Sequence, residues 1–312
     1  MDETPEMTKM AVDIPYRREM TFDYGRVRQV SPLIRRIVAR NPSPYTLYGT
    51  GTYIVGAGEV AVIDPGPADS EHIKALALAL EGEKITCIPV THTHNDHSPG
   101  VPLLQKLLPA PSCGYGRHGQ GKLQEGIQVE EGGDMDFVPD IHVRHGDVLK
   151  GPGWTLECIH TPGHTSNHMC YRLREEQALF TGDHVMGWST SVISPPDGDM
   201  TQYMQSLALL LDSDDMVYWP THGPPIRDPQ THVRAFIAHR REREDQVLRQ
   251  LHKGAARIVD MVPDIYAQTP VYLHPAAARS LLATILHLVA DGRVLCEGEA
   301  GMDTVYRAAS AS

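Results

Sequence analysis

Seven residues, Thr91-His92-Thr93-His94-Asn95-Asp96-His97, constrain this chain more than any other stretch. Four side chains of metal-ligating type fall there directly after the apolar run Lys84–Val90, which reads as a strand. Side chains alternate along a strand, so His92 and His94 leave its end on one side. Asp96 and His97 follow as the chain turns into a helix expected over His97–Leu108, and so approach from another direction. A tetrahedral zinc takes four donors, and a catalytic one keeps a position open. Four ligands split in this way, with more arriving from later loops, point to a pair of metals. A polar loop of solvated histidines would leave the later motifs unexplained.

Those motifs repeat one grammar: an apolar strand, a small or turn-forming residue, then a ligand. Thr155–Ile159 leads into Thr161-Pro162-Gly163-His164-Thr165-Ser166-Asn167-His168, where Pro-Gly forces a tight turn ahead of His164. Ala178-Leu179-Phe180-Thr181-Gly182 ends in Asp183-His184, and Val217-Tyr218-Trp219-Pro220-Thr221 ends in His222-Gly223-Pro224. Each is weak alone; with the cluster at 92–97 they are strong. Upstream, Thr52–Val55 and Val60–Ile63 read as a hairpin that leaves Asp64 at a strand tip before Pro65-Gly66-Pro67. Asp69–Leu80 has the pattern of an amphipathic helix capped by Asp69 or Ser70. Strands alternating with helices, each motif at a strand end, indicate an α/β architecture. The Gly-rich stretch Gly114–Asp136 reads as a long surface loop, a lid or wall of the site.

A chain of 312 residues with 41% hydrophobic and 21% charged residues can bury a sizeable core and hold one large domain plus a small one. Its net charge of −11 argues against broad binding to nucleic acid or a membrane surface. The five cysteines are scattered and lack a Cys-x-x-Cys, so they read as thiols in a reducing compartment. Residues 1–25 are charged, without the apolar core of a signal peptide, and read as a loosely docked arm. No apolar run approaches transmembrane length. A cytoplasmic protein is the expectation.

His92-x-His94-x-Asp96-His97, then His164, Asp183 and His222 in that order, resemble the metallo-β-lactamase superfamily over roughly residues 26–228. Ser31-Pro32-Leu33-Ile34-Arg35-Arg36-Ile37 and Thr161-Pro162-Gly163-His164-Thr165 are similar to its lactamase-β-2-like branch, which carries a C-terminal winged helix. The resemblance implies an αββα sandwich with two zinc ions at one edge; iron or manganese also suits such donors. It implies His92, His94 and His164 on one metal, Asp96, His97 and His222 on the other, Asp183 bridging, and Asp64 supporting the ligands from behind. Two zincs about 3.5–4 Å apart share a water as hydroxide near neutral pH, which attacks a carbonyl or phosphorus. A carboxylate at the bridging place is a feature of the family's thioester and phosphodiester hydrolases and is lacking in true lactamases, so β-lactam cleavage is a poor reading. Asp96, His168 and His184 are the candidate catalytic side chains, the two histidines as proton donors to the leaving group or substrate contacts, with support of the ligands from behind the equal alternative for each. Pro99, where the family more often has a small residue, suits a helix's first turn.

After Gly223-Pro224-Pro225 the composition shifts. Residues 229–312 read as a long helix over Thr231–Lys253, helices over Arg257–Tyr266 and Pro275–Asp291, and a hairpin of Arg293–Glu297 and Thr304–Ala308: a helical linker and a winged-helix-like domain. This region holds ten Lys/Arg against nine Asp/Glu, and the helix that would enter a DNA groove has a single basic residue, Arg279. A packing or homodimer role is therefore expected, without duplex DNA binding. Arg234–Arg257, with seven basic against three acidic residues, can guide an anionic substrate. The leading expectation is a di-zinc hydrolase of an activated acyl compound (thioester, ester or lactone), acting on a small or short anionic substrate without a membrane. A single-strand endoribonuclease, like animal members of the branch, is the alternative, followed by a zinc-sensing winged-helix regulator.

Overall fold

The structure, a computed structural model, describes residues 12–119 and 132–309. The first sheet runs in chain order through β1 (Arg28–Gln29), β2 (Ile34–Val38), β3 (Gly51–Ala57), β4 (Glu59–Ile63), β5 (Lys84–Pro89), β6 (Ser112–Gly114) and β7 (Ile141–His142). The second contains β8 (Val148–Gly151), β9 (Trp154–His160), β10 (Met169–Leu173), β11 (Ala178–Gly182) and β12 (Val217–Pro220) in consecutive order. Helices α1 (Ser70–Ala79) and α2 (Val101–Leu107) cover the first sheet; α3 (Met200–Leu211) and α4 (Pro229–Lys253) cover the second.

Strand alternation sorts the side chains into these layers. On β3 and β4, Tyr53, Val55, Ala61 and Ile63 enter the core between the sheets, while Ile54, Val60 and Val62 meet α1 and α2. On β10 and β11, Met169, Tyr171, Ala178 and Phe180 face that central core, while Cys170 and Leu179 meet α3 and α4. Both faces of these strands are covered, which is why they are apolar throughout and the ligand residues wait until the strands end. This is the αββα sandwich the sequence leads one to expect.

Asp69 caps α1 as expected, accepting from the backbone N–H of Glu71 and His72. Helix α2 departs from expectation: it begins at Val101, after a turn over residues 97–100. Gly66 N–H donates to His97 O and Gly100 N–H to Gly66 O, so the Pro65-Gly66 turn is pressed onto this segment. A Cβ at Gly100 would lie 2.9 Å from both the Pro65 and Gly66 carbonyl oxygens. Pro99 therefore sits in that turn, and the proline in the helix's first turn is Pro102.

Beyond the sandwich, α5 (Ile258–Ile265), α6 (His274–Ala290) and the hairpin of β13 (Val294–Cys296) and β14 (Tyr306–Ala308) surround their own core with the C-terminal half of α4. The inward stripe of α6 is Ala278, Leu281, Ile285 and Leu288, whereas Leu282, Leu286 and Val289 are half-buried. Residues Val271–Ala290 are, by length and composition, apolar enough to cross a bilayer, at mean hydropathy 1.3, against the expectation that no run reaches that length. Here that segment carries the small domain's core. In the N-terminal arm, Ile14 is buried in the second helical layer and Arg17 N–H donates to Gly187 O, so residues 12–25 are tied down more firmly than their charge suggested.

Candidate metal centre

The ends of β4, β5, β9, β11 and β12 open onto one edge of the sandwich, and each delivers part of a single cluster. His92 Nε2 lies 2.9 Å from His94 Nδ1, and His164 Nε2 lies 3.1 Å from that same atom. His222 Nε2 is 3.1 Å from Asp96 Oδ2 and 3.4 Å from Asp183 Oδ1. His97 Nε2 is 3.5 Å from Asp96 Oδ1 and 3.7 Å from Asp183 Oδ2. Three donor groups emerge that can hold a metal: His92, His94 and His164; His92, His97 and Asp183; and Asp96, His97 and His222. Asp183 Oδ2 is also 3.9 Å from His164 Nε2, so its carboxylate faces ligands of both halves.

The outer face of the cluster fixes which nitrogens face inward. His164 Nδ1 donates to Val192 O at 2.6 Å and His222 Nδ1 to Gly49 O at 3.2 Å. His97 Nδ1 donates to Asp64 Oδ2 at 2.9 Å. Carbonyls and carboxylates only accept, so each ring's proton is held outside and the Nε2 lone pair is left for the cluster. His97 Nε2 and Asp183 Oδ1 are fully buried without a hydrogen-bond partner, as suits atoms made for a cation.

A family-wide sequence profile described as the metallo-beta-lactamase superfamily matches residues 45–222, and a second, described as a beta-lactamase associated winged helix domain, matches residues 258–301. The chain belongs to the metallo-beta-lactamase superfamily. It is 35% identical over 230 residues to an atrochrysone carboxyl ACP thioesterase of Cryptosporiopsis, a match spanning 73% of this chain and 65% of that protein. It is 32% identical over 254 residues to an atrochrysone carboxyl ACP thioesterase of Claviceps purpurea (78% and 75% covered), and 31% identical over 321 positions to a lactamase-like protein of Aspergillus niger (93% and 94%). Its fold is similar to that of a beta-lactamase domain protein from Burkholderia ambifaria, with a TM-score of 0.77 at 19% identity over 95% of this chain and 97% of that one. A metallo-beta-lactamase family protein from Thermus thermophilus gives 0.73 at 21% identity, over 90% and 100%.

Within this superfamily site, burial opposes charge on every ligand, and the neighbours decide the outcome. At His92 and His94 burial prevails, reinforced by adjacent imidazoles, and both lie well below the ordinary histidine pKa. At His222 burial is outweighed by Asp183 and Asp96, which carry it up to about 10; His97 is likewise raised by Asp96, Asp183 and Asp64. Asp96 and Asp183 resist burial through those same histidines and stay well below the usual carboxylate range. Divalent cations can offset these carboxylates in place of the two protons, which binding then releases.

Asp64, at the end of β4, is the hub behind the ligands. It is fully buried at φ 48°, a left-handed conformation that aspartate tolerates better than most residues. Oδ1 accepts from Thr91 N–H at 2.7 Å; Oδ2 accepts from Thr91 Oγ1, His97 Nδ1 and Thr221 Oγ1. Thr91 and Thr221, which precede His92 and His222, are thus anchors for those histidines.

His168 and His184 do not fit the expectation of proton transfer in the cleft, because both rings are fully buried behind it. His168 Nε2 accepts Asp183 N–H at 3.2 Å, so its proton sits on Nδ1, which meets Thr161 Oγ1 at 2.9 Å. Its work is to hold the Asp183 backbone. His184 packs on the Tyr203 ring, and burial pushes its pKa down to about 3. Of the candidate catalytic residues, only Asp96 lines the cleft.

Two supports escaped sequence reading. His118 Nδ1 lies 2.9 Å from Thr93 Oγ1, and Asn167 Nδ2 donates to the same hydroxyl at 2.8 Å. Gly132 O accepts Asn95 N–H and Asp134 N–H donates to Thr93 O, so both described ends of the expected lid over Gly114–Asp136 brace the histidine motif. Residues 120–131 of that lid lie outside the described residues. Above the cluster is a cleft of about 660 Å³, whose far wall is built by α4, the segment that joins α5 to α6, and α6 itself. Tyr266, Leu273, Ala277 and Ser280 line it, so the small domain completes the site, where the sequence pointed to packing or dimerisation and, over Arg234–Arg257, to guidance of an anionic substrate.

Proposed function

We propose that this chain is a di-zinc thioesterase that releases an acyl group from a thiol carrier. The observation that carries the reading is the cleft: the metal cluster forms its floor, and Met186, Trp188, Val192, Leu273 and Ala277 give it apolar walls. Such a pocket suits an acyl chain, whereas a bound RNA strand needs a longer basic track than the two arginines, Arg240 and Arg243, on its far wall. Relatives over most of the chain carry the name of acyl carrier thioesterases, which supports the same reading.

His92, His94 and His164 would hold one metal, Asp96, His97 and His222 the other, and Asp183 would face both. Zinc suits this nitrogen-rich donor set, and iron or manganese is chemically compatible with it. When bound, such ions polarise a carbonyl oxygen and activate water near neutral pH. The protein's part is to fix geometry. Asp64 locks the His97 tautomer, His168 holds the Asp183 backbone, and the loop around Trp188 lines the cleft beside the cluster. A thiol of pKa about 8.5 departs near neutral pH without a strong acid. The retreat of His168 and His184 from the cleft therefore costs little for a thioester and much for an alkoxide leaving group.

The test is a screen of zinc-loaded protein on a thioester, a lactone, bis-nitrophenyl phosphate and labelled RNA. The thioester should be cleaved fastest, with a shallow dependence on salt. RNA cleavage faster than that of any acyl compound, falling steeply between low and physiological salt, would replace this reading with the endoribonuclease. Zinc binding without hydrolysis of any substrate would point to the sensor.

A further inference from the structure

The inward stripe of α4 runs through Val233, Phe236, Val247 and Leu251, all buried. At the place where that pattern calls for another apolar residue it carries Arg240, only 6% exposed, and three residues on, Arg243 shares the same face. Both line the cleft above the metal cluster.

Two other buried charges of this acidic protein are matched by opposite ones. Glu244 on the same helix meets Arg293 at 2.6 Å, and Asp215 meets Arg172 at 2.8 Å. Among the described residues, Arg240 and Arg243 have no carboxylate within ion-pairing distance. Arg240 donates from Nη2 to Ser191 O and lies 5.1 Å from the Tyr203 ring, while its Nε is buried without a partner. Arg243 donates to Ile265 O at 2.6 Å and to Gln246 Oε1 at 2.7 Å, and stacks over Tyr266 at 4.2 Å. These contacts aim and immobilise the guanidiniums without neutralising them. Apart from the residues of the metal cluster, they are the only Asp, Glu, Lys or Arg side chains that line the cleft among the described residues. Two fixed, uncompensated guanidiniums in a partly dry cleft favour a negatively charged oxygen, which they can grip with charge-assisted hydrogen bonds.

We propose that Arg240 and Arg243 form an anion-reading subsite, and that the acyl group processed here carries a carboxylate or another ionised oxygen. The proposal rests on the thioesterase reading and names the class of acyl group that reading leaves open. The phosphate of a carrier's prosthetic arm is the other source of negative oxygen, and the subsite's place in an acyl-sized pocket favours the acyl group.

The test compares N-acetylcysteamine thioesters of octanoate and of octanedioate, which are matched in length and free of phosphate. Zinc-loaded wild type should favour the octanedioate ester by roughly tenfold or more in kcat/KM. Arg243→Gln should collapse that ratio towards one, Arg243→Lys should restore part of it, and Arg240→Lys should reduce it. Equal losses on both esters in every variant would overturn the subsite. So would variants that lower turnover of coenzyme A thioesters alone, which would place the carrier phosphate there. Calorimetric binding of octanedioate separates this proposal from the reaction. If wild type cleaves neither ester yet binds octanedioate about tenfold more tightly than Arg243→Gln does, the subsite stands and the thioesterase reading falls.

Discussion

Replacing Asp64 by Asn is the sharpest test of how this site is held. The side chain keeps its shape, and asparagine accepts the left-handed backbone that Asp64 adopts at φ 48°. What changes is the donor pattern. Thr91 N–H, 2.7 Å from Oδ1, cannot reorient, so it fixes the amide oxygen on its side and sends the NH₂ towards Thr91 Oγ1, Thr221 Oγ1 and His97 Nδ1. Both hydroxyls can rotate and accept. The imidazole can accept only by moving its proton to Nε2, the atom that faces Asp96 and Asp183. Binding a cation there then requires the tautomer that the amide disfavours. Disturbing such a partner of a ligand typically costs 10–100-fold in metal affinity, or about 1.4–2.7 kcal/mol. Competition titration of zinc against a chromophoric chelator should therefore show one site weakened by that factor and the site of His92, His94 and His164 far less affected. Thr221→Val, which removes one donor and leaves the tautomer alone, should weaken binding less. Unchanged affinity at both sites in a folded Asp64→Asn protein would refute the reasoning.

Asp183→Asn should reduce zinc from close to two ions per chain and remove most activity, since an amide bridges two cations poorly; metal analysis giving a single tightly held ion in wild type, beside a fully active variant, would sink the bridging assignment. Phe236, fully buried where α4 packs on the second sheet's helical layer, should cost about 3–5 kcal/mol in urea unfolding when replaced by Ala, and a loss under about 1 kcal/mol would mean that α4 is not docked there. His72 is held neutral by burial, its pKa pushed down to about 4 from 6.5. The unfolded chain thus takes up that proton first, and stability should fall by up to about 3 kcal/mol as pH drops from 6.5 towards 4. In unfolding curves across that range, His72→Gln should lose less than wild type; parallel losses would exclude His72 as the cause.

Sequence alone determined the candidate metal donors and the layers around them. Zinc-type donors, strand alternation and Pro-Gly turns are local, so Thr91–His97, Asp183 and His222 announce themselves wherever the chain runs. What the tertiary structure decided is what each residue faces. Asp64 gathers partners 27, 33 and 157 residues away, a convergence that no local pattern encodes. His168 and His184 stand beside ligands in sequence yet behind them in space, because the strand ends turn their rings into the core. The periodicity of α4 marked a helix with one inward face, but only the docking of α4 beside α5 and α6 makes that face a wall of the cleft. There it places Arg240 and Arg243 above the cluster of candidate metal donors: a helix pattern records which residues share a side, and the packing of distant elements decides what that side meets.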